Sequence, residues 1–228
     1  MIIKNFSYTA RIGVVFLLGV MLAILLSTSV QESAIMDELA HIPAGYSYLK
    51  YQDMRINPEH PPLLKDISAI PLLFLNLKFP EQSKAWVADI NGQWDLGKEL
   101  LYRNVNNPDV ILFFARLGPI FLTILFGFLL FKLGSEFFGP KTALLSLTFF
   151  ALSPAILAHG KYVTTDVAAA FGFFTAIFYF LRYLRIPSRK NLIIAGVFFG
   201  IAQSLKFSLV LLVPFFIGTA LLWAFSQS

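Results

Sequence analysis

Cysteine is absent from the 228-residue chain, and charged residues are scarce, at 14%. The first absence excludes a disulfide scaffold, a thiolate metal site and a cysteine nucleophile. Soluble domains contain about 25% charged residues, whereas 57% of this chain is hydrophobic and 25 residues are phenylalanine. One water-soluble domain of this size could not bury so much apolar surface. A soluble enzyme, a disordered protein and a nucleic-acid-binding module are therefore poor interpretations, and the composition predicts a membrane protein.

Long apolar runs predict about five or six transmembrane helices, because about 17–25 apolar residues cross the hydrocarbon layer as a helix. The first run, residues 12–30, exceeds the ~7–15 residues of a signal peptide's apolar region, which favours a retained helix. The other runs are residues 110–131, 143–158, 167–183, 192–204 and 207–225. Residues 192–204 are short for a span, so the last two runs either cross separately or form a re-entrant hairpin.

The charges are distributed asymmetrically about these runs. With a cytoplasmic N-terminus, the inner segments carry eight basic residues against one acid, whereas the outer loop 31–109 carries seven against eleven. The inner set is Lys4, Arg11, Lys132, Glu136, Lys141, Arg182, Arg185, Arg189 and Lys190. Basic loops stay in the cytoplasm, so the pattern supports this orientation. The net charge of +5 then reflects topology rather than a nucleic-acid partner, and all three histidines lie outside.

The predicted fold class is therefore an all-α polytopic membrane protein with a large folded extracytoplasmic first loop. We expect a single membrane domain over residues 1–228, with the loop at 31–109 and the further transmembrane helices at 110–228. A plasma-membrane location is expected. A loop of this length without repeats is usually functional.

The loop begins with a predicted short helix over residues 34–40. Ser33 can cap its start, and the helix should end before Pro43, because a proline disfavours the helical conformation of the preceding residue. Asp37 and His41 are four residues apart and would share one face.

A second short helix is predicted after Pro61-Pro62, which suit a helix start. The apolar stripe consists of Leu63, Leu64, Ile67 and Ile70. Lys65 lies off this stripe, so the helix should be amphipathic and lie in the membrane interface.

Three charges lie within or beside the apolar runs. Arg116 lies within a predicted span. It either belongs to a functional site at membrane depth or extends its side chain to the headgroups. Asp166 either belongs to a site or interacts with the dipole of the helix that it starts. Lys206 should lie level with Asp166 at the outer interface. Their convergence with the loop suits a charged ligand arriving from the lipid, and phosphate is the obvious candidate for a lysine.

These residues, in this order, resemble the glycosyltransferase-C superfamily of membrane glycosyltransferases. The nearest groups are the protein O-mannosyltransferases and the bacterial lipid-A aminoarabinose-transferase-like enzymes. The matching features are Asp37-Glu38 after the first span, Pro58-Glu-His-Pro-Pro-Leu63, Ala115-Arg116-Leu117, Ala151-Leu-Ser-Pro154 with Thr164-Thr-Asp166, and Lys206 in Leu-Lys-Phe-Ser. Family members are usually about twice as long, so the chain is expected to be an N-terminal portion.

The resemblance implies transfer of a sugar from a polyprenyl-phosphate-linked donor to a lipid or protein hydroxyl, with inversion. Asp37 would be the general base, and Glu59 matches a metal-binding position of the aminoarabinose group, so a divalent ion is possible. The residues that the resemblance assigns to substrate binding are Glu38, His60, Lys65, Arg116, Asp166 and Lys206. Two alternatives stay open: a transporter or channel subunit with charges lining a path, and a non-catalytic membrane scaffold.

Overall fold

The computed structural model describes residues 8–89 and 91–227, so Lys4 of the predicted inner set lies outside the described residues. All regular structure in the described part of the chain is helical. The α-helices are α1 Tyr8–Ser29, α2 Met36–Tyr51, α3 Leu63–Ala69, α4 Lys84–Val87, α5 Gln93–Tyr102, α6 Pro108–Ala151, α7 Pro154–His159, α8 Thr165–Arg185, α9 Arg189–Leu205 and α10 Leu212–Gln227. Two 3₁₀ turns, Pro71–Phe74 and Phe207–Leu211, connect α3 with the loop and α9 with α10.

Four segments of the described residues are long and apolar enough to cross a membrane. They are Tyr8–Ser29, Pro108–Ala151, Thr165–Arg185 and Phe207–Ser226. Together with the helical content they confirm the all-α polytopic class. Helix α9, with 17 residues, returns along α8 and brings Lys206 beside Asp166 at the start of α8.

The longest helix, α6, is two helices joined at Gly139. Its 44 residues would extend about 66 Å if straight, roughly twice the thickness of the hydrocarbon layer. Gly139 has φ 80° and ψ 162°, a backbone conformation that favours glycine, and Pro140 follows it. The second half ends at Ala151 rather than at residue 158, since the chain leaves the helix before Pro154 starts α7.

Helix α2 corrects the prediction for the start of the loop. It starts at Met36 and continues through Pro43 to Tyr51, so the predicted end before Pro43 is wrong. A proline at this position removes the N–H that would bond the carbonyl of Leu39, four residues earlier. Gly97 of α5 packs directly on that carbonyl, since a Cβ on Gly97 would lie 1.9 Å from the Leu39 oxygen. Tertiary packing therefore surrounds the defect and keeps the helix intact.

Helix α3 is also oriented differently from the prediction. It is clasped between α2 and α6, where a Cβ on Gly45 would meet the Lys65 carbonyl at 2.2 Å and one on Gly118 would meet Ser68 Cα at 2.8 Å. Lys65 therefore faces inward, whereas Ile70 of the predicted stripe is half exposed. Because Gly45 and Gly118 have no side chain, the backbone of α3 packs closely against α2 and α6. This packing sets the rotation of α3 about its axis, with Lys65 on the inner face.

Candidate active site

The long loop and the short connection between α7 and α8 meet at one end of the molecule. His41 Nδ1 lies 2.7 Å from the carbonyl oxygen of Val163, and the N–H of Val163 donates to Glu38 Oε1 at 3.2 Å. Lys161, almost fully buried, donates to Glu32 Oε1 at 3.1 Å. The two segments that the charge pattern assigns to the same side of the membrane are therefore in direct contact.

Arg116 is completely buried at the centre of this junction. Its guanidinium donates twice to Glu38, from Nε at 2.9 Å and from Nη2 at 2.7 Å. The remaining N–H groups donate to the carbonyl oxygens of Ser29, Glu32 and Ser33 at 2.6–2.9 Å. All five donors of the guanidinium are thus used inside the protein.

Glu38 is as buried as Arg116, and both side chains are 0% exposed. Besides the guanidinium, its carboxylate accepts the backbone N–H groups of Ile35 and Val163. The predicted contact of Glu38 and Arg116 with substrate is therefore corrected: the two side chains bind each other and fasten the loop. Snorkelling of Arg116 is also wrong, and an arginine sealed by a carboxylate does not line a conduction path.

Lys65 holds the segment that contains the Pro-Glu-His-Pro-Pro motif. Its ammonium, 1% exposed, donates to the Tyr48 hydroxyl at 2.9 Å, to both oxygens of Asn57 at 2.8 and 3.0 Å, and to the His60 carbonyl at 2.8 Å. Burial lowers the pKa of Lys65 to about 8. The predicted contact of Lys65 with substrate is corrected, because its three protons are already shared among four acceptors.

Asn57 extends this network to Glu59. Its backbone has φ 55°, a left-handed conformation that asparagine tolerates better than most residues. Its side-chain amide donates to Gln93, and Gln93 donates to Glu59 Oε1 at 3.0 Å. No group of three His, Cys, Asp or Glu side chains in the described ranges is arranged to hold a metal ion. The residues around Glu59 therefore do not fit the metal site that the resemblance implied.

Two histidines lie between the loop and the membrane helices. The ring centroids of His41 and His60 are 5.2 Å apart in an edge-to-face arrangement. His41 is buried, and burial lowers its pKa. The hydrogen bond to the Val163 backbone and the charge of Asp37 oppose this shift, whereas His60 and Lys65 add to it. Because Nδ1 faces the Val163 carbonyl, it carries the proton, which leaves Nε2 as the acceptor of a neutral ring. His41 thus remains neutral over a wider pH range than an exposed histidine.

Asp37 and the pair Asp166–Lys206 are accessible charges at this end. Asp37 is exposed, in the first turn of α2, one residue from the sealed Glu38. Lys206 Nζ donates to Asp166 Oδ1 at 2.8 Å, and the two side chains remain 30% and 60% exposed. His159 and His60 both lie within electrostatic range of Asp166. The predicted approach of Lys206 to Asp166 is present in the structure.

A groove of about 270 Å³ opens beside Asp166. Its walls combine His159 and Asp166 with apolar side chains of α7 and α8, namely Ala155, Ile156, Val167 and Ala170. An apolar channel that ends at a carboxylate, a histidine and the neighbouring Lys206 can accept a lipid with a phosphate headgroup.

The sequence analysis missed Lys161 and Tyr162. The aromatic ring of Tyr162 lies over the Arg116 guanidinium at 5.3 Å, and its hydroxyl donates to Glu32. The available signal was a lysine and a tyrosine in a short connection between two apolar helices. Their shared partner, Glu32, is distant in sequence and is identified only by the folded structure.

Comparisons with known proteins identify a family over the second half of the chain. Residues 109–227 match the profile of the dolichyl-phosphate-mannose-protein mannosyltransferases, slightly more than half of the 228 residues. No match was found among curated proteins or solved structures. The matched region includes Arg116, Asp166 and Lys206, whereas the loop with Asp37 precedes it.

Proposed function

Because the chain belongs to the dolichyl-phosphate-mannose-protein mannosyltransferase family, we propose that it transfers a sugar from a polyprenyl-phosphate-linked donor to an acceptor hydroxyl. The transfer takes place at the extracytoplasmic face of the membrane and inverts the anomeric carbon. Family membership supports the glycosyl transfer and the type of donor. The acceptor, a lipid or a protein, and the roles of individual residues are our proposal.

The observation that carries the mechanism is the difference between two adjacent carboxylates. Glu38 is sealed by Arg116, whereas Asp37 is exposed on the same helical turn, so only Asp37 can meet an acceptor. As the acceptor oxygen bonds to the anomeric carbon, the bond from that carbon to the phosphate oxygen breaks. Asp37 takes the hydroxyl proton, and polyprenyl phosphate leaves with the electron pair.

We assign the donor to the groove beside Asp166. Its isoprenoid chain lies along the apolar residues of α7 and α8. When its phosphate binds, Lys206 leaves Asp166 and pairs with the phosphate. His60 and His159, both within electrostatic range of Asp166, supply further hydrogen bonds to the phosphate. Negative charge builds on the phosphate as the bond breaks, so these groups stabilise the transition state more than the bound donor.

The sealed groups have a positioning role in this scheme. Arg116 and Glu38 fix the first turn of α2, on which Asp37 lies, and Lys65 fixes the segment that carries His60. None of the three contacts substrate. Preorganisation of this kind reduces the reorganisation needed during the reaction.

Substitution of Asp37 by Asn tests the proposal, because Asn keeps the size of the side chain and removes the base. We expect turnover to fall by roughly 10²–10⁴-fold, the usual contribution of a general base, with donor affinity unchanged. The measurement is transfer of labelled sugar in membranes that contain the full-length protein. Asp95→Asn, at an exposed carboxylate of α5, is the matched control and should retain activity.

Near-normal turnover of Asp37→Asn would refute Asp37 as the base without refuting glycosyl transfer. If the wild type transfers no sugar from any polyprenyl-phosphate donor, glycosyl transfer itself is refuted.

We also propose that the N-terminus is cytoplasmic and that the site is extracytoplasmic. Because the chain lacks cysteine, single cysteines report the side of the membrane without background. A cysteine replacing exposed Gln82 should react with an impermeant thiol reagent from outside intact cells, and one replacing exposed Lys190 should react only after permeabilisation. Labelling of both from the same side would refute this topology.

A further inference from the structure

A second groove lies between α6 and α8, at the end of the molecule away from Asp166. Its volume is about 220 Å³, and apart from Gly134 it is lined entirely by leucine, isoleucine and phenylalanine side chains. Phe138 and Phe173 in its wall are 72% and 50% exposed. Helix α6 bends at Gly139, directly after Phe138, and so leaves these rings uncovered. The groove has the chemistry of a site for an alkyl chain.

A smaller, charged pocket of about 130 Å³ continues from this groove. Phe137 belongs to the walls of both, and the other walls of the pocket are Glu136, Arg182, Arg185 and Ile186. Arg182 pairs with Glu136 at 3.2 Å, with both side chains more than one-third exposed. The Arg185 guanidinium lies over the Phe137 ring at 4.9 Å and takes part in none of the ion pairs of the described residues. Two arginines therefore lie beside the apolar groove, and one carboxylate, Glu136, pairs with Arg182.

The charge around this pocket favours an anion. The start of α9 adds Arg189 and Lys190, both exposed, and α6 carries Lys132 before its bend and Lys141 just after it. Glu136 is the single acidic residue among them. Arginine forms paired hydrogen bonds to phosphate oxygens, and basic pockets between transmembrane helices are suited to anionic headgroups.

We propose that this double pocket binds an anionic phospholipid, with an acyl chain in the phenylalanine-lined groove and the phosphate between Arg182 and Arg185. A bilayer presents alkyl chains to the groove and phosphates to its mouth, so the ligand is present wherever the protein is inserted. Asp166 and Arg182 are separated by 16 positions of α8, roughly 24 Å at 1.5 Å per residue. The site is therefore distinct from the donor groove and does not rest on the proposed glycosyl transfer.

The test compares phosphatidylglycerol with phosphatidylcholine of identical acyl chains, added to the delipidated full-length protein in detergent. Native mass spectrometry counts retained lipids, and the melting temperature reports stabilisation. We expect phosphatidylglycerol to bind at least 10-fold more tightly than phosphatidylcholine. The double substitution Arg182→Gln/Arg185→Gln should weaken phosphatidylglycerol binding by roughly 10–100-fold, as loss of charge-assisted hydrogen bonds predicts.

The matched control is Arg189→Gln/Lys190→Gln, which removes the same charge from the same end but from residues that do not line the pocket. It should weaken phosphatidylglycerol binding much less than the pocket variant does, because it removes only diffuse attraction. Equal loss in both double variants would show attraction to diffuse surface charge and would overturn the site. Equal affinity for the two lipids would overturn the headgroup assignment. If the wild type retains neither lipid, another occupant covers the groove, such as a helix of a second copy, and the proposal is wrong.

Discussion

Two ion pairs lie at the same end of the molecule, and they differ strongly in their contact with solvent. Glu38–Arg116 has an N–O distance of 2.7 Å and 0% exposure on both sides, whereas Asp166–Lys206 has a distance of 2.8 Å and remains 30–60% exposed. Both join a carboxylate at the start of one helix to a cation from another part of the chain. Distance alone would not separate their roles.

Burial separates them because it decides which partners are available. The sealed pair has exchanged water for fixed protein groups, and removing one member leaves an uncompensated charge in a low-dielectric interior. The open pair is solvated, so Lys206 can leave Asp166 for an incoming phosphate at little cost. In the proposed mechanism the first pair holds the loop in position, and the second supplies Lys206 to the donor phosphate.

The largest expected effect comes from breaking the sealed pair. Glu38→Gln leaves the buried guanidinium of Arg116 without its counter-charge, and we expect a loss of about 3–5 kcal/mol of stability. Thermal unfolding in detergent is the measurement. Glu99→Gln, in the exposed pair with Arg103, is the control and should cost no more than about 0.5 kcal/mol.

A double-mutant cycle sharpens this result. Glu38→Met/Arg116→Met removes both charges, so it should be less destabilised than the sum of the two single variants. Strict additivity, or a Glu38→Gln variant that melts like the wild type, would contradict the role given to this pair.

A smaller effect, on binding rather than on folding, is expected from the open pair. Lys206→Ala removes a charge-assisted contact to the donor phosphate, which contributes about 1.5–3 kcal/mol, or one to two orders of magnitude in affinity. The melting temperature should change little. Lys98→Ala, in a similarly exposed pair with Asp95, controls for general loss of surface charge. Unchanged donor affinity in Lys206→Ala would mean that this lysine only pairs with Asp166.

The smallest effect concerns the pH dependence that Lys65 confers. Its pKa is lowered from 10.5 to about 8 in the folded protein, so between these values the unfolded chain binds more protons. Stability must therefore rise with pH in this window. From pH 7 to pH 9 the wild type should gain roughly 1 kcal/mol relative to Lys65→Met, which cannot titrate. Melting curves of both proteins at the two pH values measure the difference, and parallel pH slopes would contradict it.

Features that depend on composition and on helix spacing were predictable from the sequence. The all-helical membrane class follows from long apolar runs, and the resemblance to the glycosyltransferase-C superfamily is confirmed by the family match. The approach of Lys206 to Asp166 followed from topology, because two helix ends on the same side of a membrane share one depth. The single-domain organisation and the catalytic role of Asp37 remain predictions.

Features that depend on tertiary packing were not predictable. A proline usually ends a helix, but Pro43 does not, because Gly97 packs against the carbonyl that it leaves free. A lysine off an apolar stripe usually faces water, but Lys65 faces four oxygen acceptors that are brought together only in the folded loop. No local pattern contains these partners, since they come from different segments of the chain.

The carbonyl contacts of Arg116 also impose an order on synthesis. Arg116 lies 87 residues after Ser29, whose carbonyl it binds at the end of α1. At about 5–20 residues per second, α1 is complete roughly 4–17 seconds before the arginine is made. During that interval the end of α1 and the start of the loop must rely on water for these hydrogen bonds. The first helix can therefore enter the bilayer early, but the long loop cannot close until the helix that carries Arg116 has followed it.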